Sequence, residues 1–170
     1  MSIIAQTPRL IIREYLPEEE HLFVDLHKDE QVLRYLPRRN EEEYRNFFAA
    51  ALQANGNPNG LNRWGIFDAA TGDFIGACLL RNPVDAPEKV ELGYSMGVKY
   101  WGMGIATEMA KAVIDYGFNR MNFAMICAVT DPENKASQNV LLKSGMQRDG
   151  EVFWYEAILP YFELKNPNVL

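Results

Sequence analysis

Only two cysteines and two histidines occur among the 170 residues. Cys78 and Cys127 stand far apart and form no Cys-x-x-Cys pair, and neither His21 nor His27 has a Cys or His neighbour at ligand spacing. A disulfide framework and a structural metal are therefore not expected, and both thiols are expected reduced in the core of a cytoplasmic protein. The opening Met1-Ser2-Ile3-Ile4-Ala5-Gln6 lacks the basic start and long apolar run of a secretory leader. No apolar run approaches the roughly 20 residues that span a bilayer, so no membrane partner is expected. Basic residues are also in deficit: 17 Lys and Arg against 23 Asp and Glu leave a net charge of −6 and a pI near 5.0. Nonspecific binding to nucleic acid needs the opposite balance. Repeats, linkers and low-complexity tracts are missing too.

What is there is a chain with 48% hydrophobic residues, long enough to bury a sizeable core, and a single domain over residues 1–170 is expected. Leu10-Ile11-Ile12, within Arg9 to Tyr15, reads as a strand. A helix follows from Pro17 to about Lys28, and a second from about Glu41 to Gln53 buries Tyr44, Phe47, Phe48, Ala51 and Leu52. Ala54 to Gly60 is the clearest loop, read as a mobile lip over a site. Arg63–Phe67 and Phe74–Leu80 form a hairpin, and Val90–Met96 follows antiparallel. Ile105, Met109, Ala112, Val113 and Tyr116 recur at helical spacing, and Phe123–Val129 is apolar enough for a central strand. Asn134 caps a further helix ended by Gly145, and a hairpin over Gln147–Leu164 closes the chain. The fold class expected is α/β, with a mixed, mostly antiparallel sheet and helices on both faces.

The chemistry gathers at the turn Tyr100-Trp101-Gly102-Met103-Gly104-Ile105-Ala106-Thr107. Gly102 and Gly104 remove side chains that would keep an anion from backbone N–H groups. Gly104 also cannot cap the helix through a side chain, so first-turn N–H groups stay free for a phosphate. The same pair of glycines fits an ordinary tight turn. A nucleoside-triphosphate loop is excluded because no Gly-Lys-Ser/Thr follows. A dinucleotide fingerprint is excluded because Thr107 replaces its third glycine.

Three ordered blocks carry a resemblance: Glu91-Leu92-Gly93-Tyr94, then Trp101-Gly102-Met103-Gly104-Ile105-Ala106-Thr107-Glu108, then Asn134-Lys135-Ala136-Ser137 with Lys143-Ser144-Gly145. Together they resemble the GCN5-related N-acetyltransferases, most closely the branch that acetylates the N-termini of ribosomal proteins. The likeness is strongest from Val90 to Met146. The opening Thr7-Pro8-Arg9-Leu10-Ile11-Ile12-Arg13 is similar to that branch's first strand, whereas Arg38 to Asn62 contributes nothing.

The resemblance implies acetyl-coenzyme A as co-substrate. Its pantetheine arm would run along the backbone of Met96, Gly97 and Val98, where two parallel strands splay, and its pyrophosphate would lie in the turn from Trp101 to Thr107, with Asn134 also at the cofactor. Acyl transfer to an amine needs a base, an oxyanion donor and a proton for the departing thiolate. Glu91 is the candidate base, read equally well as a solvent-facing or ion-paired carboxylate. Many relatives place a Tyr seven residues after the helix Asn to protonate the thiolate. Leu141 stands there, so Ser137 is the replacement candidate, as the branch suggests. Asn134 and Ser137 are also explained as a helix cap and a first-turn residue.

An α-amine, with a pKa near 7.7–8.0, is far more often neutral at pH 7 than lysine, near 10.4. An N-terminal or small-molecule α-amine is therefore the expected acceptor, and the acidic balance suits basic protein tails. A polyamine, amino acid or antibiotic amine is the second reading and a non-catalytic acyl-coenzyme A sensor the third. Trp64, Trp154, Tyr155 and Tyr161 are candidates to line the acceptor side. The chain is expected to act as a monomer or homodimer.

Overall fold

Strand β4 (Phe74–Arg81) is buried along nearly its whole length, as expected of a strand covered on both faces. Around it lie β1 (Ile3–Gln6), β2 (Leu10–Arg13), β3 (Asn62–Asp68), β5 (Glu91–Met96), β6 (Met125–Val129), β7 (Gln147–Trp154) and β8 (Ala157–Lys165). The computed structural model describes residues 1–169 and joins these strands in the order β1-β2-β3-β4-β5-β6-β8-β7. Every pairing is antiparallel except β5 with β6.

Helices α1 (Glu20–Leu26), α2 (Glu30–Leu33) and α3 (Glu41–Gln53) precede β3; α4 (Ile105–Asp115) and α5 (Lys135–Lys143) flank β6 in sequence. Strand alternation sends side chains to two cores. Ile12, Trp64, Ile66, Cys78, Leu80 and Leu92 pack with Met109 and Val113 of α4. Ala77 meets Phe23 and Val24 of α1 and Tyr44, Phe48 and Ala51 of α3 on the other face. The mixed sheet with helices on both faces is thus the observed architecture.

Local chemistry explains most element ends. Asn40 and Glu43 form a reciprocal cap at α3, with bonds of 2.9 and 2.8 Å, and three glutamates fill its first turn. Asn134 accepts the Ser137 N–H at 3.1 Å, and Gly145 takes φ 96° after α5.

Two expectations change, and two elements were not foreseen from the sequence. The helix expected from Pro17 opens as a 3-10 turn, Pro17–Glu19, because Glu19 is held by Arg13 and by the Leu16 N–H. Helix α2 is too short to leave a periodic pattern. Strand β1 escapes a sequence reading because it is a four-residue edge, fastened by the buried Glu14 carboxylate, which accepts Ser2 N at 2.7 Å. Finally, the Ala54–Gly60 loop is no lip: Gly56 N donates to Glu14 at 2.6 Å and Asn55 to the Tyr15 carbonyl at 3.1 Å. Those bonds fasten it on the β2 side of the sheet.

Candidate active site

Gly102 and Gly104 take φ 72° and 75°, a left-handed backbone that other residues adopt only with strain. Gly104 is the N-cap of α4 and supplies no side-chain bond, so the N–H groups of Ile105, Ala106 and Thr107 are left at the helix start. A Cβ at Gly102 would meet nothing within 4 Å, and one at Gly104 only an Arg9 guanidinium nitrogen at 3.6 Å. Trp101 and Met103 flank the turn, about half exposed, while Ile105 is buried beneath it. An open, side-chain-free cradle on a helix N-terminus fits a pyrophosphate.

Arg9 holds this cradle and was not legible as a site residue. Its Nη1 donates to the Met103 carbonyl at 2.8 Å and its Nε to Glu108 at 2.6 Å. Thr7 also donates to Glu108, and these bonds, against the cost of burial, lower the Glu108 carboxyl. The available signal was Thr7-Pro8-Arg9 in the first strand, but its partner Glu108 lies 99 residues further along the chain.

Strands β5 and β6 touch at one register position, Glu91 opposite Cys127, supported by Cys127 N donating to the Val90 carbonyl at 2.8 Å. Beyond it they part. Gly97 N donates sideways to Ile75 O at 3.0 Å, so strand alternation turns the amide groups of Tyr94 and Met96 toward the gap. The Met96 carbonyl is taken by the Trp101 indole at 3.0 Å, and the Val98 carbonyl by Trp101 N at 3.1 Å. Tyr94, whose backbone was not singled out from sequence, therefore shares the gap edge with the Met96 N–H.

Glu91 lies opposite Arg81 on β4, its side chain on the α1–α3 face. It is buried, at 4% exposure, so the solvent-facing alternative falls. Its Oε2 accepts from Arg81 Nε at 2.9 Å and from the Tyr155 hydroxyl; neither bond uses Oε1. Burial pulls the Arg81 guanidinium down, but the adjacent carboxylate outweighs this and holds it above its ordinary value. Burial, and then Glu91, push the Tyr155 phenol up, keeping it a donor. Tyr155 has φ 54° in the β7–β8 turn, and its N–H donates to Asp85 at 3.0 Å. Two separate segments thus converge on one carboxylate.

Across the gap, the Tyr94 hydroxyl donates to Ser137 Oγ at 3.2 Å. Burial raises the Tyr94 phenol despite that bond, so it stays protonated and leaves the Ser137 proton free to donate elsewhere. Asn134 serves Ser137 as helix cap. Of the four aromatics proposed for the acceptor side, only Tyr155 reaches Glu91. Trp64 is in the opposite core, edge-on to Tyr116, and Trp154 and Tyr161 cluster around Cys127.

The acetyltransferase (GNAT) domain family matches residues 9–147. A curated relative, the uncharacterized N-acetyltransferase YoaA of Bacillus subtilis, is 30% identical over 169 residues, covering 95% of this chain and 93% of its own. Among solved structures, the ribosomal-protein-S5-alanine acetyltransferase of Vibrio fischeri superposes with a TM-score of 0.79 at 18% identity over 97% of both chains. A ribosomal L7/L12 alpha-N-protein acetyltransferase in complex with coenzyme A gives 0.80 at 15%, over 96% of this chain and 98% of that one. With a family match over residues 9–147, this chain belongs to the GNAT family of N-acetyltransferases.

Proposed function

We propose that the chain transfers an acetyl group from acetyl-coenzyme A to a primary α-amine, the N-terminus of a protein of the ribosomal type, with Glu91 as general base and Ser137 as general acid. The observation that carries this reading is that β5 and β6 part just beyond Glu91, with the glycine turn following β5 and Tyr94 of β5 donating to Ser137. The pyrophosphate is assigned to the turn Trp101–Thr107 and the pantetheine arm to the edge formed by Tyr94, Met96, Gly97 and Val98, with Asn134 at the start of the facing helix.

The amine nitrogen attacks the thioester carbonyl and loses its proton to Glu91, directly or through water. The oxyanion is met by a backbone N–H at the strand divergence. As the C–S bond breaks, the electron pair leaves on sulfur, and Ser137, held by the Tyr94 hydroxyl, supplies a proton that solvent restores as Glu91 gives up the one taken from the amine. A covalent relay has no support: Cys127, the thiol beside Glu91, is buried and its pKa is pushed up to about 12, far from the thiolate a nucleophile needs.

A small-molecule amine is the second reading. Arg63 and Arg81 share the Glu91 face, which disfavours a polycation there and favours an amine of low charge. The test is a mass-spectrometric screen of acetyl-coenzyme A with mixed peptides and small amines. Acetylated N-termini are expected. Tight cofactor binding with no product on any amine would replace the enzyme reading with that of a sensor.

A further inference from the structure

Among the described residues, the Arg63 guanidinium has no counter-ion. It lies on β3 opposite Leu79, which in turn lies opposite Gly93 of β5. Its side chain therefore shares the face of Arg81, a diagonal cross-strand neighbour at roughly 7–8 Å, with Glu91 one strand further on the same face. The guanidinium carbon sits 5.0 Å from the Phe47 ring and 5.5 Å from the Phe23 ring. Arg13, Arg45 and Arg81 all pair with glutamates. Among the described residues Arg63 takes part in no ion pair, and its diagonal neighbour Arg81 is a second cation.

Burying an unpaired cation is unfavourable, and attraction to aromatic faces offsets only part of that cost. Burial pulls the Arg63 pKa down, with Arg81 adding to the effect, but only to about 10. The group stays charged at neutral pH. Arg63 and Arg81 lie on one sheet face, where the Glu91 carboxylate is already bound to Arg81. The deficit is one negative charge, on the face that carries Glu91.

We infer that Arg63 recognises a carboxylate on the acceptor, so that the amine acetylated by this chain is an amino acid or a peptide whose N-terminus is followed by an acidic residue. This rests on the acceptor side assigned under the proposed function. It narrows the substrate class against the overall negative charge, because a local pair of cations outweighs a distant net field at contact range. Carboxylate and guanidinium match as a two-bond fork, so the contact would discriminate strongly against the corresponding amide.

The test uses matched acceptors. Free amino acids are compared with their amides, and peptides bearing Asp or Glu at the second position with the same peptides bearing Asn or Gln. Wild type is expected to favour the acid of at least one pair by about tenfold or more in kcat/KM. Which pair shows the preference identifies the source of the carboxylate. Arg63→Met, which keeps bulk between Phe23 and Phe47, should bring that ratio to about one; Arg63→Lys should restore part of it. Equal use of acid and amide by wild type, or a ratio that survives in Arg63→Met, overturns the inference.

Calorimetric titration of the acids into protein saturated with coenzyme A is the second arm. If nothing is acetylated yet the acid binds about tenfold more weakly to Arg63→Met, the transfer reading fails and this one stands. If the acids bind equally to both proteins, this one fails. Should Arg63→Met not fold, Arg63→Gln takes its place.

Discussion

Arg81 Nε sits 2.9 Å from Glu91 Oε2, and this pair sets the character of the candidate base. The arginine occupies one oxygen of a nearly dry carboxylate, while the free Oε1 is left to meet an amine or a water. A single carboxylate acting as base suits a nucleophile that is already partly neutral, which is the physical reason for preferring an α-amine over a lysine.

Glu91→Gln keeps the shape and one acceptor oxygen but removes the charge. Turnover with a reactive amine is expected to drop about a hundredfold or more, while the calorimetric affinity for acetyl-coenzyme A stays within about twofold. Unchanged turnover would remove Glu91 from the mechanism.

Ser137→Ala should slow the rate by about tenfold or more, and Tyr94→Phe by less, because Tyr94 acts through Ser137. The double variant is expected to be no slower than Ser137→Ala alone. Thiol release followed at saturating substrate checks this, and fully additive losses would mean the two hydroxyls do not form one chain.

Arg9→Ala frees the Met103 carbonyl and leaves Glu108 unpaired beside the cradle. The dissociation constant for acetyl-coenzyme A should rise about tenfold, with little change in kcat at saturation. A kcat effect without an affinity effect would reject the assignment of this turn to the pyrophosphate.

His27 predicts a pH dependence of stability. It is buried, Nδ1–H donates to the Phe23 carbonyl at 2.8 Å, and its ring stacks on Tyr44. Burial pulls its pKa from 6.5 to about 4. Between those values the unfolded chain binds a proton that the folded chain does not, so stability rises with pH across this window and is lost as pH falls from 6.5 toward 4. The contribution is roughly 3 kcal/mol. Urea midpoints from pH 4.5 to 7.5 should show this slope in wild type and a flatter one in His27→Gln.

Much of this was legible before any coordinates. The glycines of the turn announce their own backbone, Asn134 and Gly145 mark both ends of α5, and alternation along Val90–Met96 assigns Glu91 and Tyr94 to opposite faces. Such features are local: they depend on φ, on hydrogen bonds between near neighbours, and on periods of two or 3.6 residues.

Only the tertiary structure decided what meets what. The union of Arg81, Glu91 and Tyr155, the reach of Arg9 to the glycine turn, the anchoring of the Ala54–Gly60 loop by Glu14, and the placing of Arg63 beside Phe47 all join distant segments. Sheet order and register create these neighbours. A single chain of residue types carries no direct trace of them, because a side chain's charge is written in the sequence and its partner is not.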